Sequence, residues 1–187
     1  ISFYQLTLEP NTLFSKFPPD LPSDEDIWKI GERGSELLNQ RGFHQYEISA
    51  YSTLPSKHNM NYWEFGDYIG IGAGAHGKIT NMATNEIVRT LKMKSPRDYL
   101  LPVKNNNQTT SVTLIENLPL EFMLNSLRLI GGFDPNLYES RTGQSIKVLR
   151  EKMREAENLG LLEVQAHKIK PTQKGYSFLN DLQAIFL

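Results

Sequence analysis

An α/β unit followed by a smaller, winged-helix-like α+β domain is the fold this sequence predicts, and three observations predict it. A β-type mixture at residues 1–8, a helical pattern after Ser23 and a second β-type run at 45–49 make a βαβ unit with a parallel crossover. A polar stretch poor in apolar residues covers 104–110 and marks a linker at 105–110, between domains at 1–104 and 111–187. Beyond it come three short helical stripes, two short strand runs and a closing helix.

The first strand pattern stops at Glu9-Pro10-Asn11-Thr12. After a loop carrying Pro18, Pro19 and Pro22, Ser23 can cap a helix with Asp26 in the acidic capping-box position. Ile27, Ile30, Gly34, Leu37 and Leu38 share one face of that helix, which stops near Arg41-Gly42. Residues 68–71 read as a short buried strand, and 78–94 lean towards an irregular hairpin. Ser95-Pro96 opens a short helix. In the second domain Leu120, Met123, Leu124 and Leu127 form a stripe that ends at Gly131-Gly132. Asp134-Pro135 and Ser145 open the next two helices, 161–164 and 167–170 make a wing, and Pro171 starts the last helix.

Composition removes whole classes of function. The chain has 187 residues with 20 Lys plus Arg against 21 Asp plus Glu, a balance that offers no basic footprint for a nucleic acid. The third helix of the winged domain sets Lys147, Arg150, Lys152 and Arg154 against Glu151, Glu155 and Glu157, so partner docking or internal packing is expected there and DNA binding is not. With no cysteine, disulfides, thiolate-ligated zinc, a Cys nucleophile and an iron–sulfur cluster on this chain's own thiolates are excluded. No apolar run approaches the roughly 18 residues of a bilayer span, and no basic segment leads an apolar one at the start, so a cytoplasmic setting is expected. The opening ISFYQLTLEP has no Met and reads as mid-strand, as in a piece of a longer protein.

Gly72-Ala73-Gly74-Ala75-His76-Gly77 matches GxGxxG after a strand pattern, but Lys78-Ile79-Thr80-Asn81 is a poor helix start, so a dinucleotide fingerprint is not expected. A loop lining a cofactor fits better. His58 lies among Asn59, Asn61, Tyr62 and Trp63, and on one helical turn its imidazole would share a face with Tyr62. That chemistry suits an axial ligand beside aromatic plates, but chemistry alone favours a structural cluster with the imidazole bonded to a backbone carbonyl. His76 sits in the glycine loop, whereas His44 and His167 flank strands. Glu9 and Glu47 lie near predicted strand ends, with no general-base role assigned. No zinc-site spacing occurs.

HNMNYW at 58–63, DYIGIGAGAH at 67–76 and EFMLNSLRL at 121–129 closely resemble the C-terminal half of the HemW family of haem chaperones. That family lies in the radical S-adenosylmethionine (SAM) superfamily and is related to oxygen-independent coproporphyrinogen III oxidase. ISFYQLTLEPNTLF and QYEISAYS are similar to its late barrel strands. The resemblance implies the C-terminal part of a partial (β/α)6 radical SAM TIM-like barrel, followed by the helical, wing-bearing domain. It also implies that the CxxxCxxC cluster motif lies in a preceding half. The family's HNxxYW pattern becomes His58, Asn59, Tyr62 and Trp63 as haem-binding residues, with His58 a candidate for the iron. Contacts to SAM in the related oxidase fall at Gln5, Gly74, Ala75 and His76, of backbone type because the local residues differ. The cofactors implied are haem, with SAM and a 4Fe-4S cluster in the full-length protein. The function implied is delivery of haem to acceptor proteins such as respiratory enzymes; the alternative is decarboxylation of porphyrinogen propionates in haem biosynthesis. The fragment alone is expected to be inactive.

Overall fold

A computed structural model describes residues 1–101 and 109–187, as two compact units, residues 1–56 and 57–187. The linker expected at 105–110 therefore lies mostly outside the described residues, and 109–110 open a strand.

In the first unit a short helix α1 (Leu13–Lys16) is capped by Thr12, whose hydroxyl accepts from the Ser15 N–H. Helix α2 (Asp24–Gln40) begins with the expected Ser23 cap and Asp26 beside it: the Ser23 hydroxyl accepts from the Asp26 N–H at 3.2 Å and donates to the Asp26 carboxylate at 2.7 Å, in place of the backbone bond of a full capping box. It ends as expected, with Gly42 at φ +79. The Gly42 N–H donates to the Asn39 carbonyl and the Phe43 N–H to the Leu38 carbonyl, a Schellman ladder. Strands β1 (His44–Glu47) and β2 (Ala50–Ser52) form an antiparallel hairpin, with Gln45 opposite Tyr51 and a bulge before Glu47.

The parallel crossover expected here is not what forms. Residues 1–8 make a single bridge, Ser2 to Ala50, and that bridge is antiparallel. An apolar pattern reports which side of a strand is buried and not the direction of its neighbour. Phe3 closes the unit: its ring lies 6.4 Å from the Tyr51 ring, and a Cβ at Gly34 would overlap it. Trp28 (59% exposed), Ile30 and Leu37 leave much of the α2 apolar surface uncovered within this unit.

The second unit opens with α3 (Lys57–Trp63). The hairpin expected at 78–94 is regular: β3 (His76–Asn81) pairs antiparallel with β4 (Glu86–Lys92), Ile79 opposite Val88. Asn85, at φ +58, turns the chain between them. The strand expected at 68–71 is reduced to one bridge, Tyr68 to Lys78, and Ile69 and Ile71 are 76% and 84% exposed. Helix α4 (Pro96–Leu100) follows Ser95, and β5 (Thr109–Leu114) joins the sheet in the order β3-β4-β5.

The winged domain has the expected parts. Helices α5 (Leu118–Ser126) and α6 (Pro135–Thr142) lead through a 3₁₀ turn, Ile146–Leu149, into α7 (Arg150–Asn158). The wing is β6 (Leu162–Gln165) against β7 (Lys168–Pro171). The closing helix is split at Phe178 into α8 (Gln173–Ser177) and α9 (Leu179–Ala184). Phe122 sits at the centre of the core, edge-on to Phe65, Phe133 and Tyr138 with ring centroids 5.8, 5.1 and 5.0 Å away. Met123, Leu127, Leu149, Leu182 and Phe186 fill the rest. The described residues thus form a mixed α/β fold whose C-terminal part is a helical, wing-bearing domain.

Candidate functional site

Helix α3 places the side chains of HNMNYW as their spacing predicts. His58 and Tyr62, four residues apart, share a face, and their rings meet edge-on with centroids 4.9 Å apart. The Tyr62 ring in turn lies 4.5 Å from Tyr68. His58 is exposed, and its ring nitrogens have no hydrogen bond among the described residues, so the carbonyl-bonded alternative does not form. Trp63 is half-buried; the Arg128 guanidinium stands 4.4 Å over its ring, and its indole N–H is buried without an acceptor among the described residues. Asn59 is half-buried on the same helix.

The end of α3 is unusual. The Gly66 N–H donates to the Asn61 carbonyl and the Phe65 N–H to the Tyr62 carbonyl, so the Schellman position that glycine normally fills holds Phe65 at φ +56. A left-handed non-glycine residue costs about 1–2 kcal/mol. Burial of its ring offsets that cost: Phe65 is 1% exposed, packs on Phe122, and receives the Lys78 ammonium 4.1 Å from its ring centroid. Gly66 is required next, because a Cβ there would overlap the Asn61 side chain and sit 2.8 Å from the Asn61 carbonyl oxygen.

Lys78 is 3% exposed, which sequence reasoning did not anticipate. Its ammonium donates to Asp67 at 2.9 Å, and Asp67 also accepts from the Thr80 N–H at 2.8 Å and the Thr80 hydroxyl at 2.9 Å. Burial pulls the Lys78 pKa below its ordinary value, against the attraction of Asp67. Burial would raise Asp67, but the bonds from Thr80 and Lys78 outweigh it and hold the carboxylate below the usual range. Nearby, Arg89 pairs with Glu121 and donates to the Tyr68 hydroxyl at 3.5 Å. Burial works to lower the Arg89 pKa, and Glu121 and Tyr68 outweigh it and raise it.

The glycine loop is less open than its letters suggest. The Gly72 N–H donates to the Tyr99 hydroxyl at 3.1 Å, the Gly74 N–H to the Met93 carbonyl at 2.7 Å, and the Ala75 N–H to the Gly72 carbonyl at 3.2 Å. Those amides are spent inside the protein, and His76 starts a strand where a dinucleotide fingerprint needs a helix. His76 itself is exposed, and the Ala75 carbonyl accepts from the Lys92 N–H. Gln5 is an exposed residue of the first unit.

Three sequence motifs meet in the second unit. HNMNYW supplies α3; DYIGIGAGAH supplies Asp67 and Tyr68; EFMLNSLRL supplies Glu121 to Arg89, Phe122 to Phe65, Ser126 to the Trp63 carbonyl at 3.0 Å and Arg128 to the Trp63 ring. Residues 121–129 were recognisable as a motif but not as the support of the helix at 57–63; spacing along the chain carries no signal of that contact.

Residues 116–178 match the HemN C-terminal domain. The chain is 41% identical over its whole length to the heme chaperone HemW of Haemophilus influenzae and 41% identical to that of Escherichia coli, covering 49% of each. It is 44% identical over 59% of its length to the mitochondrial radical S-adenosyl methionine domain-containing protein 1 of Danio rerio, covering 27% of that protein. Among solved structures, coproporphyrinogen III oxidase from Escherichia coli, a radical SAM enzyme, matches with a TM-score of 0.62 at 17% identity, over 89% of this chain and 42% of that one. The chain thus spans about half the length of the curated relatives it matches, and its similarity to those HemW proteins runs over its whole length.

Proposed function

We propose that this chain is the haem-binding half of a haem chaperone. The observation that carries the reading is His58: an exposed imidazole with no internal hydrogen bond among the described residues, edge-on to Tyr62 on the helix that also carries Trp63. The donor set fits haem. When bound, haem would supply an iron that takes nitrogen ligands and a flat apolar macrocycle. His58 would hold the iron, Tyr62 would fix the imidazole plane by its ring edge, and the Trp63 indole N–H is a buried donor available to a polar group of the ligand. Asn59 completes the four residues on the helix.

Gln5, Gly74, Ala75 and His76 are proposed contacts to SAM in the full-length protein. With the loop amides and the Ala75 carbonyl spent, Gly74 and Ala75 offer surface shape, and His76 offers an exposed side chain. Cluster ligation belongs to the complementary half, since this chain has no cysteine. No helix among the described residues is long and apolar enough to cross a membrane. A cytoplasmic chaperone passing haem to acceptors such as respiratory enzymes is the reading adopted; domains at 1–104 and 111–187 remain the proposed organisation.

The test is haem titration of the full-length protein and its His58→Ala and His76→Ala variants, each checked for folding. Loss of Soret absorbance in His58→Ala alone supports the assignment; loss in His76→Ala alone moves the ligand to the glycine loop. The likeness in fold to the oxidase favours one other reading, porphyrinogen decarboxylation, and turnover of coproporphyrinogen III by the full-length protein would establish it.

A further inference from the structure

Helix α3 has seven residues, about half of what an isolated helix needs to persist in water. Its order comes from elsewhere, and the end-of-helix carbonyls show the source. The Met60, Asn61 and Tyr62 carbonyls accept from the backbone N–H groups of Glu64, Gly66 and Phe65. The next two, Trp63 and Glu64, have no such backbone partner among the described residues. They accept instead from two side chains of the winged domain: the Ser126 hydroxyl of α5 at 3.0 Å and the Arg141 Nε of α6 at 3.1 Å. Ser126 is fully buried, and a guanidinium N–H on a helix C-terminal carbonyl is a charge-assisted bond at the negative end of the helix dipole.

We propose that Ser126 and Arg141 are positioning residues for haem binding: by holding the last turn of α3, they fix the direction of the His58 imidazole. The proposal rests on the haem reading above. Neither residue touches His58; both act on the carbonyl end of its helix. Rotation or fraying of so short a helix moves His58 and Tyr62 together, so a loosened clamp changes how the imidazole meets the iron before it changes the fold. Supports of this kind around a metal-ligating histidine typically change metal affinity 10- to 100-fold.

The experiment uses full-length protein with Ser126→Ala, Arg141→Met, Arg141→Lys and His58→Ala. Hydrogen exchange in the haem-free protein is expected to rise at residues 57–66 in Ser126→Ala and Arg141→Met, with the remainder of the protein unchanged. Haem affinity is expected to fall about 10-fold with an altered Soret band, and Arg141→Lys, which retains a cationic donor, to restore part of both. Ser126→Ala removes a single oxygen and supplies the reading if Arg141→Met fails to fold. Unchanged exchange at 57–66 overturns the proposal. So does wild-type haem affinity and spectrum in both clamp variants while His58→Ala loses haem, an outcome that leaves the haem reading intact. Wild-type binding by His58→Ala overturns the ligand assignment itself, and the proposal with it.

Discussion

Helices α2 and α3 end on the same hydrogen-bond ladder with opposite residues in its left-handed position. At the end of α2, Gly42 has nothing within 4 Å of where a Cβ would stand. Local chemistry suffices there, and the Arg41-Gly42 pair marks the stop in the sequence. At the end of α3 the position belongs to Phe65, a residue that disfavours it, buried against Phe122 and under the Lys78 ammonium. The first end needs only its own residues, and the second exists because the winged domain packs on it. Tertiary burial can impose a turn that local propensity opposes, and it does so where the helix carries the candidate ligand.

The largest effect should come from the second end. Phe65→Ala is expected to destabilise the intact protein by about 3–5 kcal/mol, read from urea denaturation. Phe65→Gly should cost about 1 kcal/mol less than the alanine, because glycine relieves the left-handed strain; if glycine is no better, strain is not stored there. Gly66→Ala comes next, at about 1–3 kcal/mol from the overlap with Asn61, seen as a lowered Tm. At the first end Gly42→Ala should cost about 1 kcal/mol in the same assay and leave haem titration untouched. A change in haem affinity there would break the contrast between the two ends.

The smallest effect concerns pH. The Asp67 pKa is lowered in the folded protein, so its contribution is present above the ordinary carboxylate value and is lost as pH falls through that value towards the lowered one. Asp67 is 41% exposed, and solvent screens its bonds. Lys78 runs the other way: its pKa is lowered by burial, so its charged form costs stability, and that cost fades as pH rises from the lowered value towards 10.5. Urea midpoints between pH 3 and pH 6 should fall less steeply in Asp67→Asn than in the parent. Parallel acid limbs would show that the Asp67–Lys78–Thr80 cluster contributes nothing through charge.

What could be read from the sequence follows the range of the forces involved. The Ser23 cap, the Gly42 stop, the shared face of His58 and Tyr62 and the three-helix-plus-wing order all rest on neighbours within a few residues, and all form. The left-handed Phe65 and the buried Lys78 depend on Phe122 and Asp67, which no periodicity connects to them. The internal bonds of the glycine loop were out of reach for a related reason: Met93 and Tyr99, the partners that use up the Gly74 and Gly72 amides, lie beyond β4, and no local spacing links them to the loop. Strand direction at residues 1–8 was equally out of reach, since apolar spacing is the same for parallel and antiparallel neighbours.

The carbonyl clamp on α3 also sets an order in time. Synthesis runs from the N-terminus, so a ribosome has made His58, Tyr62 and Trp63 well before it reaches Ser126 and Arg141. Until those later residues emerge and fold, seven residues cannot hold a helix by themselves. A nascent chain therefore carries the HNMNYW letters without the surface they form. On the haem reading proposed above, the binding surface waits for the segment that carries Ser126 and Arg141 to emerge and fold.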